Sequence, residues 1–183
     1  MQRDIKLPWI TLGYQVFAAE GPSGLKTERL AKKVGKNKSS FYHLFADLNG
    51  FTQSLLEYHL AQAKIMAAKE ATCKDLPQFI DIILEHKTDL LFNRQLRIHR
   101  DNPAFEQCFC QTNEMTVQSI IPIWTTILDL QENSYLAGLV LKLSMENFYL
   151  QITADTLNRE WLNHYFQELR ALVRAFKAMP AYQ

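Results

Sequence analysis

Residues 35–45 read Gly35-Lys36-Asn37-Lys38-Ser39-Ser40-Phe41-Tyr42-His43-Leu44-Phe45. Wound as a helix at about 100° per residue, Phe41, Leu44 and Phe45 share one third of the circle. Ser39, Tyr42 and His43 point the other way, with Ser40 at an edge and Lys38 in the first turn. Asn37 is a residue type that caps a helix start, and Gly35 one that ends the helix before. That preceding helix is expected over Glu28–Val34, capped by Thr27, with Leu30, Ala31 and Val34 on one face. The stretch therefore predicts two short helices joined by a three-residue turn, the second carrying an uncommonly polar outer face.

Working outward, Pro8 suits a first helical turn, and Trp9, Ile10, Gly13, Tyr14 and Phe17 repeat at helical spacing up to Glu20. Gly21-Pro22-Ser23-Gly24 stops that helix. Asp47 caps a fourth, running through Phe51, Leu55, Leu56 and Tyr58 towards Ala71. Beyond it, Asp75-Leu76-Pro77 opens a helix, another is expected near Thr88–His99, and Asn102-Pro103 opens a longer one to about Leu128, with a kink predicted at Pro122. Asn133 and Asn158 begin two last helices, over about 134–153 and 159–178. No stretch alternates long enough to demand a strand. The predicted class is all-α with about nine helices. It divides into a three-helix helix-turn-helix head over 1–50 and a larger helical body over 51–183, linked by the helix at about 47–71.

Composition agrees with a packed chain. Of 183 residues, 48% are apolar and 21% charged, far from the polar, charge-rich balance of disorder. Three cysteines, at 73, 108 and 110, do not make a disulfide framework, which favours a reducing cytoplasm. The opening MQRDIKLPWITLGY lacks the apolar run of a secretory signal. The apolar run Tyr135–Ile152 is broken by Lys142, Glu146 and Asn147, so no membrane span is expected. Cys108 and Cys110 lie about 200° apart on a helix, which suits neither a shared metal nor a mutual disulfide. They read as buried structural thiols, a redox or metal sensor with His86 and His99 being the alternative; no metal or cofactor is predicted. The net charge of +1 is unevenly spread: residues 1–50 carry +4 and the remainder −3, which suggests a polyanion partner for the head alone.

The polar face of 37–45 reads either as a solvated surface or as a surface built to touch something. Solvated faces carry Glu/Lys pairs; this one offers serines, a phenol and an imidazole. A duplex major groove admits a helix with such a surface. The run LKTERLAKKVGKNKSSFYHLFADLNGF, preceded by WITLGYQVFAAEG, resembles the DNA-binding head of tetracycline-repressor-type (TetR) transcriptional regulators. The likeness rests on Phe17-Ala18-Ala19-Glu20-Gly21 closing the first helix, Leu30-Ala31 in the next, the turn glycine Gly35, and Tyr42 followed by Phe45. It spans about residues 8–58. The resemblance implies that Thr27 lies near a phosphate and that Lys36, Lys38, Ser39, Ser40, Tyr42 and His43 face DNA, with Lys38 and His43 nearest the bases. Where many members carry a lysine after the fourth helix's cap, this chain has Leu48-Asn49-Gly50. Glu28 either accepts from a cytosine amino group or simply favours the helix dipole.

The last two helices are apolar on opposite faces, through Leu136, Leu139, Val140, Leu143, Trp161, Leu162, Tyr165, Phe166, Leu169 and Val173. That suits a dimer interface or a thick monomer core. The resemblance implies the former, with a homodimer on a palindromic double-stranded operator, released by a small-molecule effector. It further implies an apolar pocket with aromatic walls, for which Phe79, Ile83, Phe92, Phe105, Phe109, Met115, Trp124, Met145 and Tyr149 are the candidates. No phosphate-binding glycine loop, zinc motif or nucleophile elbow occurs, so no enzyme is predicted. A helical protein-interaction module and a non-specific DNA binder are the alternatives.

Overall fold

The structure, a computed structural model, describes residues 5–178. They form nine α-helices: α1 Leu7–Glu20, α2 Thr27–Val34, α3 Lys38–Phe45, α4 Leu48–Glu70, α5 Leu76–Glu85, α6 Lys87–Ile98, α7 Pro103–Leu128, α8 Ser134–Gln151 and α9 Arg159–Ala178. A single 3-10 turn, Pro22–Gly24, follows α1, and no strand occurs among the described residues. The chain is all-α.

Local chemistry sets most of these boundaries. A helix leaves its first N–H groups without partners, and a short side-chain oxygen just before it accepts from one of them. Asn37 accepts from Ser40 N at 2.8 Å, Asp47 from Gly50 N at 2.8 Å, Asp75 from Gln78 N at 2.9 Å, Asn133 from Leu136 N at 2.9 Å and Asn158 from Trp161 N at 2.9 Å. Thr27 departs from this pattern. It is already helical, Lys26 stands at the cap without a side-chain bond, and Thr27 itself is buried. A residue inside the first turn has helical backbone and does not occupy the capping position. Helix α7 runs without a break through Pro122, whose carbonyl accepts from the Thr125 and Thr126 hydroxyls.

Packing divides the described residues into two compact units, 5–65 with 88–115, and 66–87 with 116–178. The first groups α1–α3 with α6, much of α4 and the start of α7. Its centre is aromatic: Phe92 stacks on Tyr14 at 4.4 Å and on Phe17 at 4.3 Å, and Phe105 meets Phe17 edge-on. A polar chain threads that core. The Tyr14 hydroxyl lies 2.7 Å from His59 Nδ1 and donates to Asp89 at 2.7 Å, while Thr112 donates to Asn93 at 2.8 Å. Burial drives the His59 imidazole down to about 4, so it is neutral at pH 7. Burial, and then Asp89, raise the Tyr14 phenol well above its ordinary value.

Gly13 brings α1 against α4, because a Cβ there would sit 2.3 Å from Cζ of the fully buried Phe51. Gly13→Ala is expected to destabilise the first unit by about 1–3 kcal/mol through overpacking, read as a lower denaturant midpoint at an unchanged slope. An unchanged midpoint would show that the Phe51 ring moves aside freely.

The second unit is held by α5 and α9 with α8 and the end of α7. Phe166 meets Phe79 at 5.8 Å and Trp124 at 6.3 Å, and Trp161 stacks on Tyr165 at 5.2 Å. The Tyr165 hydroxyl donates to Ser144 O at 2.7 Å and Arg170 Nε to Ile127 O at 2.9 Å. No described helix is long and apolar enough to cross a membrane.

Candidate nucleic-acid interface

Helix α2 ends on a geometry that only a residue tolerant of positive φ adopts easily. Gly35 has φ 71°, its N–H reaches Lys32 O, and Lys36 N–H reaches back to Ala31 O at 3.0 Å. These two bonds satisfy the last carbonyls of α2 and turn the chain sharply. Asn37 then starts α3 after three residues, so α2 and α3 pack as a helix-turn-helix pair.

What α3 buries fixes what it shows. Phe41 is fully buried and Phe45 nearly so. Phe41 meets Trp9 at 5.5 Å and Phe51 at 5.1 Å, and Phe45 meets Phe51 at 4.8 Å. This aromatic wedge ties α3 to α1 and α4, and fixes its rotation about its own axis. Leu44 is half-buried beside it. The opposite face is consequently open: Lys38, Ser39, Tyr42 and His43 are exposed, as is Lys36 in the turn. Ser40 is half-buried and its hydroxyl donates to Asn37 Oδ1 at 2.7 Å, so it serves the cap. Thr27 is buried, whereas Lys26, Lys32 and Lys33 are exposed. The end of α3 is strained. Ala46 has φ 61° and ψ −54°, and the Asp47 N–H bonds Phe45 O at 2.7 Å across it, a tight γ-turn that points the chain into α4.

One contact on this face joins residues that the sequence alone does not pair. The Lys38 ammonium is bonded to the Glu28 carboxylate across the turn, with both side chains largely exposed. The hydrogen bond from Lys38, and its charge, hold the Glu28 carboxyl below its ordinary value.

The other sequence-predicted sites distribute differently. Of the candidate pocket residues, Phe92, Phe105 and Phe109 are buried in the first unit and Met115 half-buried; Phe79, Ile83, Trp124 and Tyr149 are buried in the second and Met145 half-buried. Phe105 also borders a cleft of about 360 Å3, together with Leu25, Leu48, Thr52 and His99. The Trp124 indole N–H is buried without a hydrogen-bond partner. Of the candidate interface residues, Val140, Leu162, Tyr165, Phe166 and Val173 turn into the chain's own core, and Leu136, Trp161 and Leu169 are half-buried. Leu139 and Leu143 are exposed, at 43% and 71%, in a row with Tyr135 and Leu150 on α8, while Leu172 and Phe176 are open on α9. The spacing 135, 139, 143 is the signal that marks this row in the sequence.

Cys108 is buried and pushed up to about 12, but Cys110 is exposed, which corrects the expectation that both thiols are interior. On a helix they face opposite ways, and only the side towards the Leu56 carbonyl is covered. No group of three potential metal ligands occurs among the described residues.

The class that emerges is an all-α chain presenting a helix-turn-helix with a cationic, hydrogen-bonding outer face. The chain is similar to a crystal structure assigned to a TetR-family transcriptional regulator from Rhodococcus sp., at 15% identity and a TM-score of 0.48, over 93% of this chain and 95% of that one. No family model matches the sequence, and no curated protein is similar to it in sequence.

Proposed function

We propose that this protein is a sequence-specific DNA-binding transcriptional regulator that acts as a homodimer, a repressor released by a small molecule. The observation that carries the reading is α3 itself: Phe41 and Phe45 are sunk in an aromatic wedge while Lys38, Ser39, Tyr42 and His43 stand exposed on one face. A protein-binding helix would show the reverse, with its apolar side outward. Lys26, Lys32, Lys33 and Lys36 are exposed on and around α2 and would supply the sequence-independent attraction to phosphate. Base edges would be read by Lys38 and His43, and the Tyr42 hydroxyl and Ser39 would position the backbone.

A single short helix reads only a few base pairs, so two copies about 34 Å apart would read a palindrome. The exposed row Tyr135, Leu139, Leu143 and Leu150 supports α8 as the seam between copies. The effector would be apolar or aromatic, taken up among the aromatic residues of the body. The unpaired Trp124 N–H supports an acceptor on that ligand, since a buried donor left without a partner is costly.

Enrichment of random duplex DNA on the purified protein tests the reading: a palindrome with half-sites about one turn apart is expected. Recovery of no preferred sequence by folded protein would reject it. On the recovered operator, Lys38→Ala should weaken binding by about 1–3 kcal/mol, and His43→Ala should relax preference at one position per half-site. An unaltered affinity and sequence profile would remove each from the reading surface.

A further inference from the structure

The bonded pair formed by Glu28 and Lys38 calls for an explanation beyond folding. Pairs as exposed as this contribute little to stability, because water screens them and two long side chains must be held still. Nor is a carboxylate an expected choice on a surface that approaches phosphate, where it would repel the backbone. What the pair does provide is a donor and an acceptor held side by side at the N-terminal ends of α2 and α3, next to Ser39 and Tyr42 on the open face.

We propose that Glu28 and Lys38 together read one G·C base pair in a fixed orientation in each half-site, Lys38 donating to guanine O6 and N7 while Glu28 accepts from the cytosine amino group. This rests on the reading of α3 as a DNA-recognition helix. In the major groove guanine shows two acceptors, N7 and O6, and cytosine one donor, its N4 amino group. O6 and N4 are hydrogen-bonded to each other within the base pair, so they lie side by side, and the second N4 hydrogen faces the groove. A bonded ammonium and carboxylate match that edge, group for group.

The alternatives are graded by the same chemistry. A T·A pair shows an acceptor, O4, beside a donor, N6, in the same order, but it sets the thymine methyl against the ammonium and adenine N7 against the carboxylate. The inverted pairs, C·G and A·T, place an amino donor against the ammonium and a carbonyl acceptor against the carboxylate, A·T keeping only adenine N7 as an acceptor for the lysine. Lysine alone would accept guanine on either strand within reach of its flexible stem. The carboxylate fixes the orientation.

The test is random-duplex enrichment with the wild-type chain, Glu28→Ala, Lys38→Ala, and the exchange variant Glu28→Lys with Lys38→Glu. Circular dichroism and molecular size serve to check that each is folded and assembled alike. Wild type should show one column per half-site occupied by G·C in a single orientation. Both alanine variants should lower the preference in that same column, by between about fivefold and about 150-fold, and leave the others intact. The exchange variant should invert the column to C·G. An unchanged column in Glu28→Ala overturns the proposal, as does a uniform gain in affinity for all sequences, which would make Glu28 a brake on phosphate contact only. Effects of the two alanine variants in different columns would also overturn it. Failure of the wild type to yield any palindrome would instead reject DNA recognition itself, and the paired reading with it. Should the exchange variant not fold, the alanine variants decide the matter.

Discussion

Glu70→Gln is expected to raise the midpoint of thermal unfolding at pH 8 and to leave it nearly unchanged at pH 4. Glu70 closes α4 within the second unit, is almost fully buried, and receives a 2.6 Å hydrogen bond from the Ser119 hydroxyl. Burial pushes its carboxyl from 4.5 up to about 7, against the smaller opposing pull of Ser119. Between those values the folded chain holds a proton that the unfolded chain has released. Stability therefore falls as pH rises from 4.5 to 7 and stays low above that. A shift of this size corresponds to about 3 kcal/mol. Glutamine keeps an oxygen for Ser119 and carries no charge, so the variant should lose this slope. His59 acts in the opposite sense in the first unit: neutral when buried, it costs stability as pH falls from 6.5 towards 4. Unfolding midpoints measured from pH 4 to 9 for wild type and Glu70→Gln decide the point. Parallel curves would show that the carboxylate is ionised and solvated in the folded state.

Leu143→Asp is expected to convert the proposed dimer into folded monomers, whereas Phe166→Asp should unfold the second unit. The difference follows from exposure: Leu143 is 71% exposed on α8, and Phe166 is 2% exposed between Phe79 and Trp124. In a twofold assembly the same patch meets itself, so every substitution acts twice. At about 2 kcal/mol or more per hot-spot residue, two buried aspartates would raise the dissociation constant by about three powers of ten. Sedimentation at micromolar concentration, with circular dichroism as the control for folding, separates the two outcomes. An intact Leu143→Asp dimer would move the seam to another surface. A monomeric wild type would make this row a face for a different partner.

What could be read from the sequence follows from the range of the interactions involved. Asn37, Asp47, Asp75, Asn133 and Asn158 each accept from an N–H three residues on, and such a bond needs no tertiary partner. Gly35 ends α2 for an equally local reason, its positive φ. The two faces of α3 were legible for the same cause, since 3.6 residues per turn place Phe41 and Phe45 together wherever the helix docks. Thr27 does not cap: it is already helical and is buried by the fold, which local rules do not foresee.

The amino-acid order by itself thus determined the all-α class, most helix starts and the polar face of α3, because caps, turns and helical period act within a few residues. Tertiary structure alone decided that Tyr165, Phe166 and Val173 are interior while Leu139 and Leu143 are not, for apolarity on a helical wheel does not say what covers it. It alone joined Glu28 to Lys38 across a turn, and Tyr14 to His59 and Asp89 across helices far apart in the chain. It alone buried Glu70 in a stretch rich in charge. These contacts depend on which surfaces meet when helices pack, and that is settled by the shapes of whole faces rather than by the spacing of residues along any one of them.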